Sequence, residues 1–516
     1  MGEAVFSDEL NDNPPKLTST QLFAFFAMIV GMFMAILDIQ IVASSISVIG
    51  AGLSASPEEL AWVQTSYLIA EVVVIPLSGY LVRLLSTRIA YSIAALGFTI
   101  MSFFCSIAWN IESMIIFRAL QGFFGGAMIP TVFATSFMIF PKEQRAVVSI
   151  VIGLVVSVAP TIGPTLGGYI TDAISWHFMF LLNIIPGIFV ASTVFLFADF
   201  DQPNPKLLQN LDIIGIILLI ISLACLQYIL EEGTAKGWFE DTLISTLAVV
   251  VIVGLILFMI REFTFSNPIL DLRAFANLNF TLGCIFSLIL GVGLFCSVYL
   301  LPLYLARVAG MNTFDIGIVM IVTGIFQFLS APFAGKVFNT SLDKRLMLAF
   351  GMGLYAFGCY LNSFLTEESR FYELFFPQAV RGFALMFCFM PINTIALDSI
   401  PKSALQNASS LYNLMRNLGG AVGLAIINTY VNDNTKIVKA YLSESLHNTS
   451  LYAYKALNLL GSIFGGKVVD KDQAALSLLN SLVFREAYII SLNNSFLIIS
   501  CLFVFSLLLI VFIRRT

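Results

Sequence analysis

Six ionisable side chains interrupt stretches of this sequence that are otherwise apolar: Asp38, Glu71, Arg118, Arg381, Asp398 and Arg416. A charge held in hydrocarbon costs about 2.5–3.5 kcal/mol on insertion scales, so each needs a reason to be there. A carboxyl group kept from water is penalised in its charged form, which suits it to taking up and giving back a proton. Asp38 stands well before the end of its apolar run and is the first candidate for that chemistry. Glu71 is the second. Gln64, Tyr67 and Glu71 recur at i, i+3 and i+7, one face of a helix, which is expected to line a polar cavity. There Glu71 serves as a proton carrier, a cation-attracting group or a structural hydrogen-bond partner. Arg118 and Gln121 share a face with Gly122 and Gly125. A guanidinium stays charged even when buried, so Arg118 is fitted to hold an anion or to release a proton from a nearby acid, not to carry one. Ser409, Asn413, Arg416 and Gly420 form a polar stripe at helical spacing, with Tyr412 among them. The expected cavity set is Gln64, Tyr67, Gln121, Arg381, Tyr412, Asn413 and Arg416, with Phe137, Met386 and Met390 as candidates for a plastic apolar lining. Asp398, just before Pro401, reads equally well as a solvated helix end.

The elements that must position these groups are membrane spans. Hydrophobic residues make up 59% of the chain and charged ones 11%, against about 25% charged in soluble domains. A span needs about 20 apolar residues. Fourteen such segments are expected, at 22–49, 59–82, 89–109, 113–140, 146–172, 178–198, 211–230, 243–261, 279–307, 314–337, 346–364, 372–399, 404–430 and 491–513. The first is too long for a cleaved leader and follows an acidic tail, residues 1–20. The seven cysteines all lie in apolar segments without disulfide or metal-ligand spacing, and His177 and His447 sit at segment ends. No metal site is expected, and a membrane enzyme such as a lipid acyltransferase lacks its embedded acid–base group. No phosphate-binding Gly-Lys-Ser/Thr loop occurs, so no nucleotide cofactor is expected. Arg83, Arg88, Arg145, Lys206, Lys344 and Lys402 fall in alternate loops, which places both termini in the cytoplasm.

The two halves echo each other. Pro76-Leu77-Ser78-Gly79 and Pro332-Phe333-Ala334-Gly335 are 256 residues apart; Gln121-Gly122-Phe123 and Arg381-Gly382-Phe383, like Pro141-Lys142 and Pro401-Lys402, are 260 apart. Near-equal offsets imply duplication of a six-helix unit. The expected division is a bundle over 21–200, two additional helices over 201–275, and a second bundle over 276–516 that includes an outer loop at 431–490. That loop, with apolar runs Leu451–Ile463 and Ala474–Phe484, reads as amphipathic helices on a surface or as filler. Span five carries Pro160, Gly163, Pro164, Gly167 and Gly168. Such a helix is bent and smooth on one face, which suits a moving contact between two halves, and Gly153, Ser157, Pro160/Thr161, Pro164 and Gly168 fall on one stripe expected to make it or to pack tightly without gating.

Four motifs in order carry a family resemblance over most of residues 20–430 and the final span. They are Leu37-Asp38-x-x-Ile41-Val42, Arg118-Ala119-Leu120-Gln121-Gly122, Gly163-Pro164-x-x-Gly167-Gly168 followed by Trp176, Phe180, Asn183, Pro186 and Gly187, and Ser409-Ser410-Leu411-x-Asn413-x-x-Arg416-x-x-Gly419-Gly420. The chain resembles the major facilitator superfamily in its fourteen-helix drug:proton antiporter branch, and within it the EmrB-type exporters. The resemblance implies an all-α membrane fold of two six-helix bundles plus two linker helices. It implies proton-coupling roles for Asp38 and Arg118, and a gating role for the span-five motif. It also implies proton-driven export of amphipathic compounds, work with a periplasmic adaptor and an outer-membrane channel, and residence in a bacterial inner membrane. Export of one metabolite, such as a siderophore or fatty acid, is the alternative that the arginines favour; a sensor or scaffold is a remoter one. The loop after span two departs from the family: Gly79-Tyr80-Leu81-Val82-Arg83-Leu84-Leu85-Ser86-Thr87 lacks the usual Asp and second Gly. That leaves the latch which closes the cytoplasmic side without its usual acid.

Overall fold

The computed structural model describes residues 18–265, 268–338, 340, 343–444, 455, 457–460 and 470–514. In chain order the long helices are α1 (Ser19–Ser44), a short α2 (Ile46–Leu53), α3 (Pro57–Leu85), α4 (Thr87–Ser106), α5 (Ile111–Ile139), α6 (Lys142–Ala173), a one-turn α7 (His177–Leu181), and α8 (Ile184–Phe197). Then come α9 (Ile213–Glu232), α10 (Thr242–Thr264), α11 (Leu278–Arg307), α12 (Thr313–Phe338), α13 (Lys344–Leu361), α14 (Phe371–Leu397), α15 (Leu405–Glu444) and α16 (Lys471–Ser506). Local chemistry starts several of them. Thr18, Ser56 and Asn110 each cap a helix and accept from the backbone N–H three residues on, while Gln21, Glu59 and Ser113 answer the cap's own N–H.

Thirteen helices among the described residues are long and apolar enough to cross a membrane by length and composition. The remaining span is α15, which fails that test because Gln406, Asn407, Ser409, Ser410, Asn413 and Arg416 fill its first half. All six are buried by protein and do not meet lipid. Fourteen spans therefore stand, two of them broken. Span one turns at Ser45 into α2, and span six is interrupted at Leu182–Asn183 between α7 and α8.

Duplication is visible in the packing. In the first bundle α3 lies on α5, α1 on α6, α4 on α5, and α8 on α4 and α1; in the second, α12 lies on α14, α11 on α15, α13 on α14, and α16 on α13 and α11. The pairings correspond one for one. The extra helices α9 and α10 pack on each other, and α9 touches both α3 and α15, straddling the seam. Across that seam α6 meets α12 and α14, and α15 meets α3 and α5.

The segment 431–490 departs from expectation. Residues 431–444 continue α15, a helix of 40 residues, and 471–490 begin α16, of 36 residues. At 1.5 Å per residue α15 is about 60 Å long, twice the hydrocarbon thickness. Ala474–Phe484 therefore belongs to a helix that stands out from the membrane beside α15 and is not a separate surface helix. Asn434 Nδ2 donates to Ser491 Oγ at 3.1 Å and ties the two projections together. Most of Leu451–Ile463 and the acidic tail through Leu17 lie outside the described residues.

Candidate functional site: a buried charge cluster and the seam between halves

Asp38, 3% exposed, and Arg118, fully buried, form an ion pair between α1 and α5, with Arg118 Nη1 donating to Asp38 Oδ2 at 2.5 Å. The carboxylate's other oxygen accepts from Gln121 Nε2 at 3.1 Å and from Asn183 Nδ2 at 2.8 Å. Gln121 also accepts from Arg118 Nη1 at 2.7 Å and donates to Ser102 Oγ at 2.6 Å. Arg118 Nε donates to the Val63 carbonyl at 3.2 Å, and the guanidinium stacks over Tyr67, 4.2 Å from the ring centre. Five helices converge here. The break between α7 and α8 is what turns Asn183 inward. Asn183 and Ser102 were not among the expected site residues. Their only sequence signal was a polar side chain in an apolar run, with Asn183 also standing in the family pattern.

The expected polar face of α3 divides. Gln64 Nε2 and Tyr67 Oη donate to carbonyls of α1, Ile39 at 3.5 Å and Ala35 at 3.3 Å. Glu71 instead reaches the seam. It is 4% exposed and accepts from Asn417 Nδ2 of α15 at 3.4 Å, within electrostatic reach of Arg118 and Arg416. On α15, Arg416 donates to Asn413 Oδ1 and lies among the rings of Phe133, Phe389 and Tyr412, with Nη1 unpartnered among the described residues. Ser409 Oγ donates across the seam to the Pro130 carbonyl at 2.7 Å, and Tyr412 Oη donates to Asn393 Oδ1 at 2.5 Å. Phe137, Met386 and Met390 are buried, and Met386 borders Gly153 of α6. Arg381 is buried apart, inside the second bundle.

Helix α6 has two working faces, only one of which crosses the seam. Gly163 and Gly167 sit against Gln40, Ile41 and Ser44 of α1, so the motif glycines lock a contact inside the first bundle. Gly168 is buried, while Pro160 and Pro164 lie half-buried in the same helix. The crossing face is Gly153, Ser157, Thr161 and Thr165, at a spacing of four. Gln327 Nε2 of α12 donates to the Gly153 carbonyl at 3.1 Å and to Ser157 Oγ at 2.9 Å, and Thr165 fills the space beside Gly317.

On the face that carries the chain termini, the halves are closed by ions. Arg145 Nη1 of α6 donates to Asp398 Oδ1 at 2.6 Å, and Lys344 Nζ stands 3.8 Å from the other oxygen. Asp398 is thus no free helix end; it is paired with a cation of the other half. Ser78 Oγ meets Ser410 Oγ at 3.2 Å, and the next residue, Gly79, packs on the Gln406 carbonyl.

A model of the Major Facilitator Superfamily matches residues 28–424. The chain belongs to that superfamily. Among curated relatives it is 39% identical over 482 residues to the colistin resistance protein EmrB of Acinetobacter baumannii, covering 93% of each chain. It is 30% identical to the multidrug export protein EmrB of Escherichia coli, covering 91% of each. Among solved structures it resembles the proton:xylose symporter XylE, with a TM-score of 0.60 at 13% identity over 97% of both chains, a likeness of fold. The superfamily assignment makes this a multi-pass membrane protein of a transporter family, and the described residues give it fourteen spans.

Proposed function

We propose that the chain is a proton-driven secondary exporter of amphipathic, apolar compounds, with no cofactor and no reaction of its own. The names of its relatives as drug export and resistance proteins support the cargo class. One observation carries the coupling: Glu71, a carboxyl buried in one half, has as its hydrogen-bond partner Asn417 of the other half. Protonation there acts directly on a contact that must open as the halves rock. Asp38 acts one layer behind. While ionised it pins Arg118 to α1; once protonated, it loses that attraction, and the freed guanidinium turns toward the seam. Proton and cargo then bias the two conformers in opposite directions. The test is export from sealed vesicles under an imposed pH gradient. Wild type should accelerate and Glu71→Gln should run at a gradient-independent rate; export indifferent to gradient collapse in wild type refutes the reading.

Rocking also requires the face that carries the termini to open. A Ser78→Cys, Ser410→Cys chain should cross-link on oxidation, stop exporting, and recover with reductant. Full export by the cross-linked chain would exclude an opening at this point. We place that face in the cytoplasm of a bacterial cell, on the strength of the arginines and lysines in its loops. The projecting parts of α15 and α16 then stand in the periplasm, beside a pocket of about 530 Å³ bordered by Trp238, Arg307, Asp433, Lys436, Phe484 and Tyr488. That projection is our docking surface for a periplasmic adaptor leading to an outer-membrane channel. Cross-linking from Lys436 should capture the adaptor, and a complex that survives shortening of both projections would exclude it.

A further inference from the structure

The second bundle repeats the polar cluster of the first with one ion missing. Asn362, Gln378 and Arg381 lie 260 residues after Ser102, Arg118 and Gln121, and Ser297 lies 259 after Asp38. The positions are retained with their roles exchanged: Gln378, in the place of Arg118, donates its Nε2 to Asn362 Oδ1 at 3.2 Å, and Arg381 stands in the place of Gln121, which in the first bundle donates to Ser102 and to the Asp38 carboxylate. Ser297 occupies the place of the acid, bonded to Tyr355 Oη at 3.2 Å. Arg381 lies within electrostatic reach of Tyr355 and Cys359, its stem against Gly358. It is 2% exposed, and its Nε and Nη1 donate to nothing among the described residues; Asn362, fully buried, has an unpartnered Nδ2. No carboxylate of the described residues pairs with Arg381, whereas in the other half Asp38 neutralises Arg118.

A guanidinium cannot shed its proton to escape this situation, and a buried charge without a partner is strongly unfavourable. We propose that the Arg381 cluster is a binding site for a monovalent anion of the carboxylate or halide class, which takes the position that the Asp38 carboxylate takes in the first bundle. One fixed positive charge balances one negative charge; a divalent anion would leave the imbalance reversed. The two groups with spare N–H capacity, Arg381 and Asn362, are of the kind that bind such an ion, while the Tyr355 hydroxyl is already donated to the Gly293 carbonyl at 2.8 Å. The anion is either the head of an amphipathic cargo or a free inorganic ion. This goes beyond the export reading, because the site binds whether or not a proton gradient drives transport.

The test uses the purified full-length chain in detergent, without a gradient, at constant ionic strength. The thermal midpoint is followed as a bulky sulfonate is exchanged for chloride, or as decanoate is added below its micellar concentration. Wild type should gain roughly 2 °C or more with at least one of them. A shift with chloride alone identifies a free ion, and one with decanoate alone a cargo head; each supports the site. Arg381→Gln should lose the shift. Ser297→Asp, which supplies an internal carboxylate, should start from a raised midpoint and lose the shift as well. No anion-dependent shift in wild type, or an undiminished one in Ser297→Asp, overturns the proposal. Either result leaves proton-driven export to be judged by the vesicle measurement.

Discussion

Asp38→Asn should abolish gradient-driven export, leaving vesicles no faster than protein-free ones. Asparagine keeps the volume but cannot be ionised, so neither the proton nor the hold on Arg118 survives. The asparagine's single oxygen can replace only one of the two carboxylate oxygens, so its NH2 faces either Arg118 Nη1 or the pair Gln121 Nε2 and Asn183 Nδ2, a donor against donors. Arg118, fully buried, would then be a charge without its partner. Breaking a buried ion pair from one side costs about 3–5 kcal/mol, so the single variant should be less stable as well as inactive. The two effects separate in the double variant Asp38→Asn, Arg118→Gln. Removing both charges lifts the penalty of the unpaired one, so the thermal midpoint should return most of the way. Export should not. A double variant that exports under a pH gradient as wild type does would reduce Asp38 to a structural role.

The second large effect is on folding. At Gly382 of α14 an added Cβ would lie 2.1 Å from the Thr323 carbonyl oxygen of α12, and at Gly122 of α5 one would lie 2.3 Å from the Tyr67 carbonyl oxygen of α3. A flexible side chain can step aside from such a contact; a helix carbonyl cannot without moving the whole helix. Gly382→Ala and Gly122→Ala should each cost about 1–3 kcal/mol through overpacking, and Gly382→Val more. Gly353 of α13 is the control, since nothing lies within 4 Å of its added Cβ. There alanine should be neutral or stabilising by up to about 1 kcal/mol, from helix propensity alone. The yield of monodisperse protein in detergent and its thermal midpoint measure all of these. Gly382→Ala as stable as Gly353→Ala would mean the two helices cross less tightly than described. Gly122 stands one turn beyond Arg118, so the same close crossing that forbids a methyl group also sets how near Arg118 comes to the Val63 carbonyl and Tyr67 ring of α3.

These two close crossings show how much of the molecule was legible beforehand. Gly122 and Gly382 were paired by an offset of 260 residues, and their carbonyl partners, Tyr67 and Thr323, stand 256 apart. The duplication read from scattered Pro and Gly thus recurs as matched helix pairs. The spans were equally legible, because an apolar run long enough to cross a bilayer is a local property. Less legible was α15. Its polar first half looks unlike a span until one knows that protein, not lipid, surrounds it. Residues 431–444 and 471–490 read as part of a loop in the sequence for a related reason: hydropathy falls where a helix leaves the membrane, whether or not the helix itself ends.

The site divides the same way. Composition and residue type alone made Asp38, Glu71 and the arginines anomalous, because a charge in oil is unfavourable wherever it stands. Which charge meets which was decided only by the tertiary structure. Asp38 finds Arg118, 80 residues away, and Asn183, 145 away, across three helices. Asp398 finds Arg145 from 253 residues away and ties the two halves together on the face that carries the chain termini. Of the span-five residues expected at the moving seam, Gly163 and Gly167 lie against α1, while Ser157 meets the other half, and Thr165 meets it too. Helical periodicity fixes which residues share a face, but a face is turned toward its neighbour by the packing of helices far apart in the chain.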